Sequence, residues 1–376
     1  GPRLWPLLLE PEQFQEREDW LQRNAGDREQ AVLADLPVEP FDLHRREWSA
    51  EILAAAGIDP GLLSPLAPGG TGLGPVTAAA AEATGLPAGC IVATRGHDHV
   101  CGAVAAGVTR PGQMLNSLGT AEAVFLPLLR PMTDPAAGRE GFAQGAHVVG
   151  DRAYCFGGLY TSGACVTWAR NLMAGPGEAP PGYETLFAEA AAVPAGSLGA
   201  CFLPHLRLAN PPYDDPRSRG TFVGLSADVG RGALMRAVLE GISFETRVSY
   251  EGLLRRPEAL PASEIVAIGG GTRNDLLMRI KATVMGQPIV VAEAEEATAL
   301  GAALLGGLGA GVYRDLDDAL ASMAYGRRLV EPAPEDAAMY EAVYRRVFQP
   351  LYPTVQALSH ATVDIQRELG PAAARE

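Results

Sequence analysis

Lysine is almost missing from this chain: Lys281 is the only one in 376 residues, and arginine carries the rest of the positive charge. A phosphate-binding loop of the GxxxxGK[ST] kind needs a lysine after its second glycine, and Lys281 follows Ile280, so that motif is excluded. Positive charge is in the minority overall, with 30 Lys and Arg against 44 Asp and Glu and a formal net charge of -14. That balance argues against nucleic acid or an anionic membrane surface as the main partner. Cysteine is sparse. Cys90, Cys101, Cys155, Cys165 and Cys201 are odd in number and contain no C-x-x-C pair, so they read as buried thiols in a reducing compartment. No basic-then-apolar signal pattern is found at the N-terminus. The low-charge run over residues 297–313 is short and glycine-rich, which suits a buried helix and not a membrane span. Together these absences describe a soluble, cytoplasmic protein.

What is present suits an α/β protein. The length allows two domains, and 47% hydrophobic residues are ample for buried cores. Residues 1–40 are interrupted by five prolines and show no sustained period. From Phe41 the text becomes orderly. Trp48, Ile52 and Leu53 share a helical face, residues 58–75 form a proline- and glycine-rich connection, and residues 77–84 an alanine-rich helix. Residues 146–155 read as paired strands turning at Gly150-Asp151, and a helix is expected over 163–172. A glycine-proline loop covers 174–182 and a long irregular loop 204–221. Residues 232–253 give the best helical pattern, apolar at Leu234, Val238, Ile242 and Val248. A buried strand at 265–268 runs into Gly269-Gly270-Gly271, followed by a helix over 275–285, a strand over 288–291 and a helix from 297. Strands alternating with helices predict an α/β class with largely buried sheets.

Residues 91–122 concentrate the chemistry. The apolar run Ile91-Val92-Ala93 breaks at Gly96 and leads to His97-Asp98-His99, then to a small-residue helix over 101–108. After Pro111-Gly112 a second apolar segment ends in Ser117-Leu118-Gly119-Thr120. Asp98, at a strand end, is placed to take a proton from a hydroxyl nucleophile; it reads equally well as a helix cap. His97 and His99 could join Asp98 as metal ligands, but consecutive side chains diverge and no third histidine lies nearby, so no metal site is assigned. Gly119-Thr120 suits a backbone loop that accepts a phosphate, with the hydroxyl as a further donor. Gly269-Gly270-Gly271, between a buried strand and a helix, lets a ligand approach the backbone and offers a helix N-terminus to an anion, though without the GxGxxG spacing of a dinucleotide site. Asn274 reads as an N-cap, as a ligand contact, or as both.

Four blocks in order resemble the FGGY carbohydrate kinases, members of the actin-like (ribonuclease H-like) ATPase superfamily. GHDHVCGAVAAGV is similar to the segment holding the catalytic base, and NSLGTAEAV to the second phosphate loop. GGLYTSGACVTWARNL is similar to the nucleotide-side helix. AIGGGTRNDLLMRIKATVMGQPI, followed by EEATALGAALLGGLGAG, is similar to the adenosine segment and closing helix. The likeness covers residues 41–346. It implies two actin-like domains: residues 1–109 as an incomplete sugar-binding N-terminal domain, and 110–376 as an essentially complete nucleotide-binding domain. It implies Asp98 as catalytic base and His97 beside it at the substrate. Gly119, Thr120, Gly163, Thr167, Gly270 and Asn274 would lie around ATP, with Mg²⁺ as companion ion. The implied substrate is a small sugar, ketose or polyol, and a homodimer is compatible with the family. Two departures stand out. The family's opening Asp-Gly-Thr-Thr hairpin is not found, as if the chain began partway through its first domain, and Arg95 stands where the family has a glycine. A non-catalytic nucleotide-binding protein, and behind it a metal-dependent hydrolase, are the competing readings.

Overall fold

The structure, a computed structural model, describes residues 41–175 and 177–369; the proline-interrupted first forty residues lie outside that range. In chain order the elements are β1 (Phe41–Asp42), β2 (Glu47–Trp48), α1 (Ala50–Ala56), β3 (Gly72–Pro75), α2 (Ala78–Thr84), β4 (Ile91–Ala93) and α3 (Asp98–Ala105). Next come β5 (Gln113–Leu118), β6 (Glu122–Leu128), α4 (Ala136–Arg139), β7 (Ala143–Ala146), β8 (Ala153–Leu159), α5 (Gly163–Leu172) and α6 (Tyr183–Ala191). They are followed by β9 (Cys201–Leu203), β10 (Thr221–Val223), α7 (Arg231–Leu253), β11 (Glu264–Ile268), α8 (Asp275–Met285) and β12 (Ile289–Ala292). The chain closes with α9 (Ala297–Gly309), α10 (Leu316–Ala321), β13 (Arg327–Val330), α11 (Pro334–Val343) and α12 (Gln349–Leu369).

Two compact units result, each drawn from separated stretches of chain. The smaller gathers the described residues up to His97 with Val148–Gly150 and Gly301–Met323. Its helices are set by their ends: Ser49 accepts from the Ile52 amide at the start of α1, and Thr77 from the Ala80 amide at the start of α2. Gly57 and Gly85 close them in the left-handed conformation. The expected connection at 58–75 contains β3, which pairs antiparallel with β4. Proline and glycine hid that strand, because their punctuation outweighs a four-residue pattern.

The larger unit holds a seven-stranded mixed sheet, in the order β13-β12-β11-β5-β6-β8-β7. β5, β11 and β12 run parallel at its centre, with Ile265 opposite Met114 and Ile268 opposite Ser117. β6 is buried at every position, which is why it reads as one apolar run and not as an alternation. α7 packs against β8, β9, α6 and α8 and is covered nearly all round, so it buries Arg236, Glu240 and Glu245 along with its apolar residues. Arg236 is satisfied there by Glu240, the Tyr340 hydroxyl and the Val193 carbonyl. α6 was not expected; its run of Ala and Glu carries little periodic signal. The irregular loop 204–221 is a packed element in its own right. His205 bridges Ser218 and Glu245, and Asn210 reaches both Glu245 and the Tyr160 amide. All five cysteines are thiols, and burial pushes Cys165 and Cys201 up to about 12. Among the described residues no helix is long and apolar enough to cross a membrane.

Candidate functional site

Three loops meet at the end of the interior strands of the larger sheet. The turn from β5 to β6 is closed by the Gly119 amide donating to the Ala121 carbonyl at 2.8 Å. The loop entering α5 docks on that turn: the Ser162 and Ala164 amides donate to the Thr120 carbonyl, and the Gly163 amide to the Gly119 carbonyl, at 3.1 to 3.2 Å. A Cβ on Gly163 would lie 2.6 Å from the Gly119 oxygen, so only glycine allows this approach. The third loop leaves β11 at Gly269, whose φ of +96° and closeness to the Leu118 oxygen (2.4 Å from an added Cβ) again demand glycine. Gly271 packs against the Leu118 side chain, while Gly270 between them is exposed and meets nothing within 4 Å. Gly119 and Thr120 are exposed as well. Backbone is thus presented to solvent from two loops that their own glycines hold together.

The helices that follow supply further groups. Asn274 caps α8, its Oδ1 accepting from the Leu277 amide at 3.1 Å, so the capping half of its double reading is realised. Thr167 is exposed one turn into α5, its hydroxyl 3.2 Å from that of Tyr183. A cleft of about 320 Å³ opens beside the third loop, lined by Gly269, Gly270, Thr272, Arg273, Glu293 and Arg328 among others.

Asp98 is the exposed first residue of α3, and its Oδ1 accepts from the His99 amide at 2.7 Å. The helix therefore begins three residues before the expected start, at the carboxylate itself. α3 packs against β5, and its Gly102 faces Ile268, the residue opposite Ser117 in the sheet. Asp98 stands about one helical turn before Gly102 in α3. His97, immediately before it, is exposed and belongs to the smaller unit. Among the described residues no group of three or more His, Cys, Asp or Glu is arranged to hold a metal ion.

Sequence reading missed the group beneath the loops. Glu122, fully buried at the start of β6, accepts from Asn116 at 2.8 Å, Thr246 at 2.6 Å, Lys281 at 2.6 Å and Ser162 at 2.7 Å. Burial alone would raise this carboxyl, but the Lys281 ammonium and the hydrogen bonds outweigh it and hold it below its ordinary value. Lys281 is 1% exposed. The one available signal was its being the only lysine.

The C-terminal domain of the FGGY family of carbohydrate kinases matches residues 114–310, and the N-terminal domain of that family matches residues 38–105. Xylulose kinase from Bacillus subtilis (strain 168) is 28% identical over 300 residues, which are 80% of this chain and 58% of that protein. Glycerol kinase from Aromatoleum aromaticum is 32% identical over 308 residues, 81% of this chain and 59% of that one. The solved structure of xylulose kinase from Rhodospirillum rubrum shares 33% identity and a TM-score of 0.71, covering 83% of this chain and 61% of its own. The chain spans about six tenths of the length of these relatives. Both domain matches, and the order in which they fall, identify this chain as a member of the FGGY family of carbohydrate kinases.

Proposed function

We propose that the protein belongs to a kinase that moves the γ-phosphoryl group of MgATP to a hydroxyl of a sugar, ketose or polyol. The observation that carries this is the docking of the three loops, which leaves Gly119, Thr120 and Gly270 exposed next to the N-termini of α5 and α8. Exposed backbone and the positive ends of two helices favour the phosphates. Residues 110–376 then act as the nucleotide-binding domain, and residues 1–109 contribute to the sugar side. Thr167 and Asn274 flank the nucleoside, and the cleft beside Gly270 accepts its uncharged part.

Asp98 acts as the base. It takes the proton from the substrate hydroxyl as that oxygen attacks the γ-phosphorus, and the bond to the β–γ bridging oxygen breaks to release ADP. His97 lies against the sugar. Mg²⁺ bound to the nucleotide would offset its phosphate charge. The protein contributes position.

The test pairs MgATP affinity with ADP release over a panel of pentuloses, polyols and sugar acids. Asp98→Asn should abolish sugar-dependent ADP release and leave the Kd for MgATP within about twofold, since the base acts only in transfer. A comparable loss of nucleotide affinity would remove Asp98 from that role. MgATP binding with no sugar-dependent release in the parent chain would instead support a nucleotide-binding protein without transfer.

A further inference from the structure

Glu122 ties together four parts of the larger unit through one carboxylate: β5 through Asn116, the loop before α5 through Ser162, α7 through Thr246 and α8 through Lys281. Two of these ties flank the candidate phosphate site directly. Asn116 precedes the turn at Gly119, and Ser162 precedes Gly163, whose amide docks on that turn. Yet all of it lies beneath the exposed backbone: the Glu122 side chain is 0% and the Lys281 side chain 1% exposed.

Stability alone does not account for such a pair. A buried ion pair gains little over well-packed apolar residues of similar size, because desolvating two charges offsets their attraction. The choice of cation points the same way. This chain uses arginine at every other cationic position, and retains lysine only here. An ammonium is a compact charge with three donors, whereas the planar fork of arginine needs a wider, flatter partner. Lys281 spends its donors on Glu122 and on Thr246, itself a Glu122 partner, so the network closes on itself.

We infer that Glu122 and Lys281 are a positioning pair that fixes the Ser162–Ala164 loop against the Gly119–Thr120 turn, and so sets the position of the exposed backbone that receives the phosphates. Ser162 is the link, because its hydroxyl joins the pair to the loop. The nucleotide role rests on the function proposed above; the positioning of the loops does not.

Two variants and two readouts test it. Ser162→Ala cuts the link and leaves the ion pair intact; Glu122→Gln combined with Lys281→Met removes both charges at nearly constant volume. In each, hydrogen exchange at the Gly163 and Ala164 amides should accelerate about tenfold, the effect of losing one hydrogen bond to a charged group. Exchange in β11 should stay unchanged, and the Kd for MgATP should rise by a similar factor. Native exchange rates at Gly163 and Ala164 in Ser162→Ala would overturn the inference, even if the double variant fails to fold. Faster loop exchange in a chain that never binds MgATP would keep the positioning pair and discard the nucleotide reading.

Discussion

Asn274 condenses the problem of reading a residue that has two uses. Its Oδ1 accepts from the Leu277 amide, which is a complete helix cap, and it stands four residues after the open Gly270. Removing the cap in Asn274→Ala should cost about 1 kcal/mol in urea denaturation, whereas Asn274→Ser, which also caps, should stay within a few tenths. Serine is too short to replace the amide at a ligand, so both variants should bind MgATP more weakly. Native affinity in Asn274→Ser would leave Asn274 a cap and nothing more. The same residue scale shows what the sequence could and could not disclose. Gly270 was legible as part of a glycine run after a strand. The separate jobs of Gly269 and Gly271 were not, because each depends on the nearness of Leu118, about 150 positions earlier in the chain. Glu122 was equally hidden. Its partners lie 6, 40, 124 and 159 positions away, and no local pattern marks such a gathering.

Among the elements, those with strong periodicity were the legible ones. α5, α7, α8 and β11 fall within a residue or two of their expected bounds, since each has an apolar pattern and a glycine or cap at its end. The loop 204–221 was legible only as irregular. Its order comes from long-range partners, and Asp215 is the clearest: its Oδ2 meets His360 at 2.6 Å and the Tyr352 hydroxyl at 2.8 Å, both on α12, while its Oδ1 accepts from the Arg217 amide. Arg217 in turn reaches the other nitrogen of His360 at 2.9 Å. Burial raises this carboxyl, but His360, the Arg217 amide and Tyr352 outweigh it and hold it below the ordinary 3.8. A carboxyl lowered on folding stabilises above its unfolded value and loses that contribution as pH falls through its folded value. The attachment of α12 to the loop should therefore hold at neutral pH and loosen only below about pH 4. Asp215→Asn should loosen it already at pH 7 and abolish its acid-side dependence. Hydrogen exchange at the α12 amides around Tyr352 and His360 reports this locally, which matters because Glu122 is lowered too and adds to any global acid transition. An unchanged acid profile in Asp215→Asn would assign the attachment to other contacts.

For the whole molecule, the α/β class and the family were readable because four blocks kept their order along the chain. The compact units were harder, since the smaller one recruits Val148–Gly150 and Gly301–Met323 from far along the sequence and nothing local announces such a crossing. With a single lysine, an amine-reactive reagent has two targets in this chain: the α-amino group and Lys281. Lys281 lies at the base of the seven-stranded sheet's loops, 1% exposed, with Glu122 and Thr246 around its nitrogen. Burial also pulls its pKa down, an effect that Glu122 partly offsets, so protection in the native state comes from lack of access and not from charge. Intact mass after brief exposure to an acylating reagent at pH 8 should show one label at most, carried by the terminus. A second label should appear only as urea unfolds the larger unit, with the same midpoint as the loss of helical dichroism. The terminal label serves as the internal measure of reagent strength. A second label arriving in native buffer as fast as the first would mean that the nitrogen is open to solvent, and it would remove the physical basis for a closed Glu122–Lys281 network. A second label rising well before the dichroism falls would instead locate a partial opening at α8, the element that carries Lys281, ahead of global unfolding.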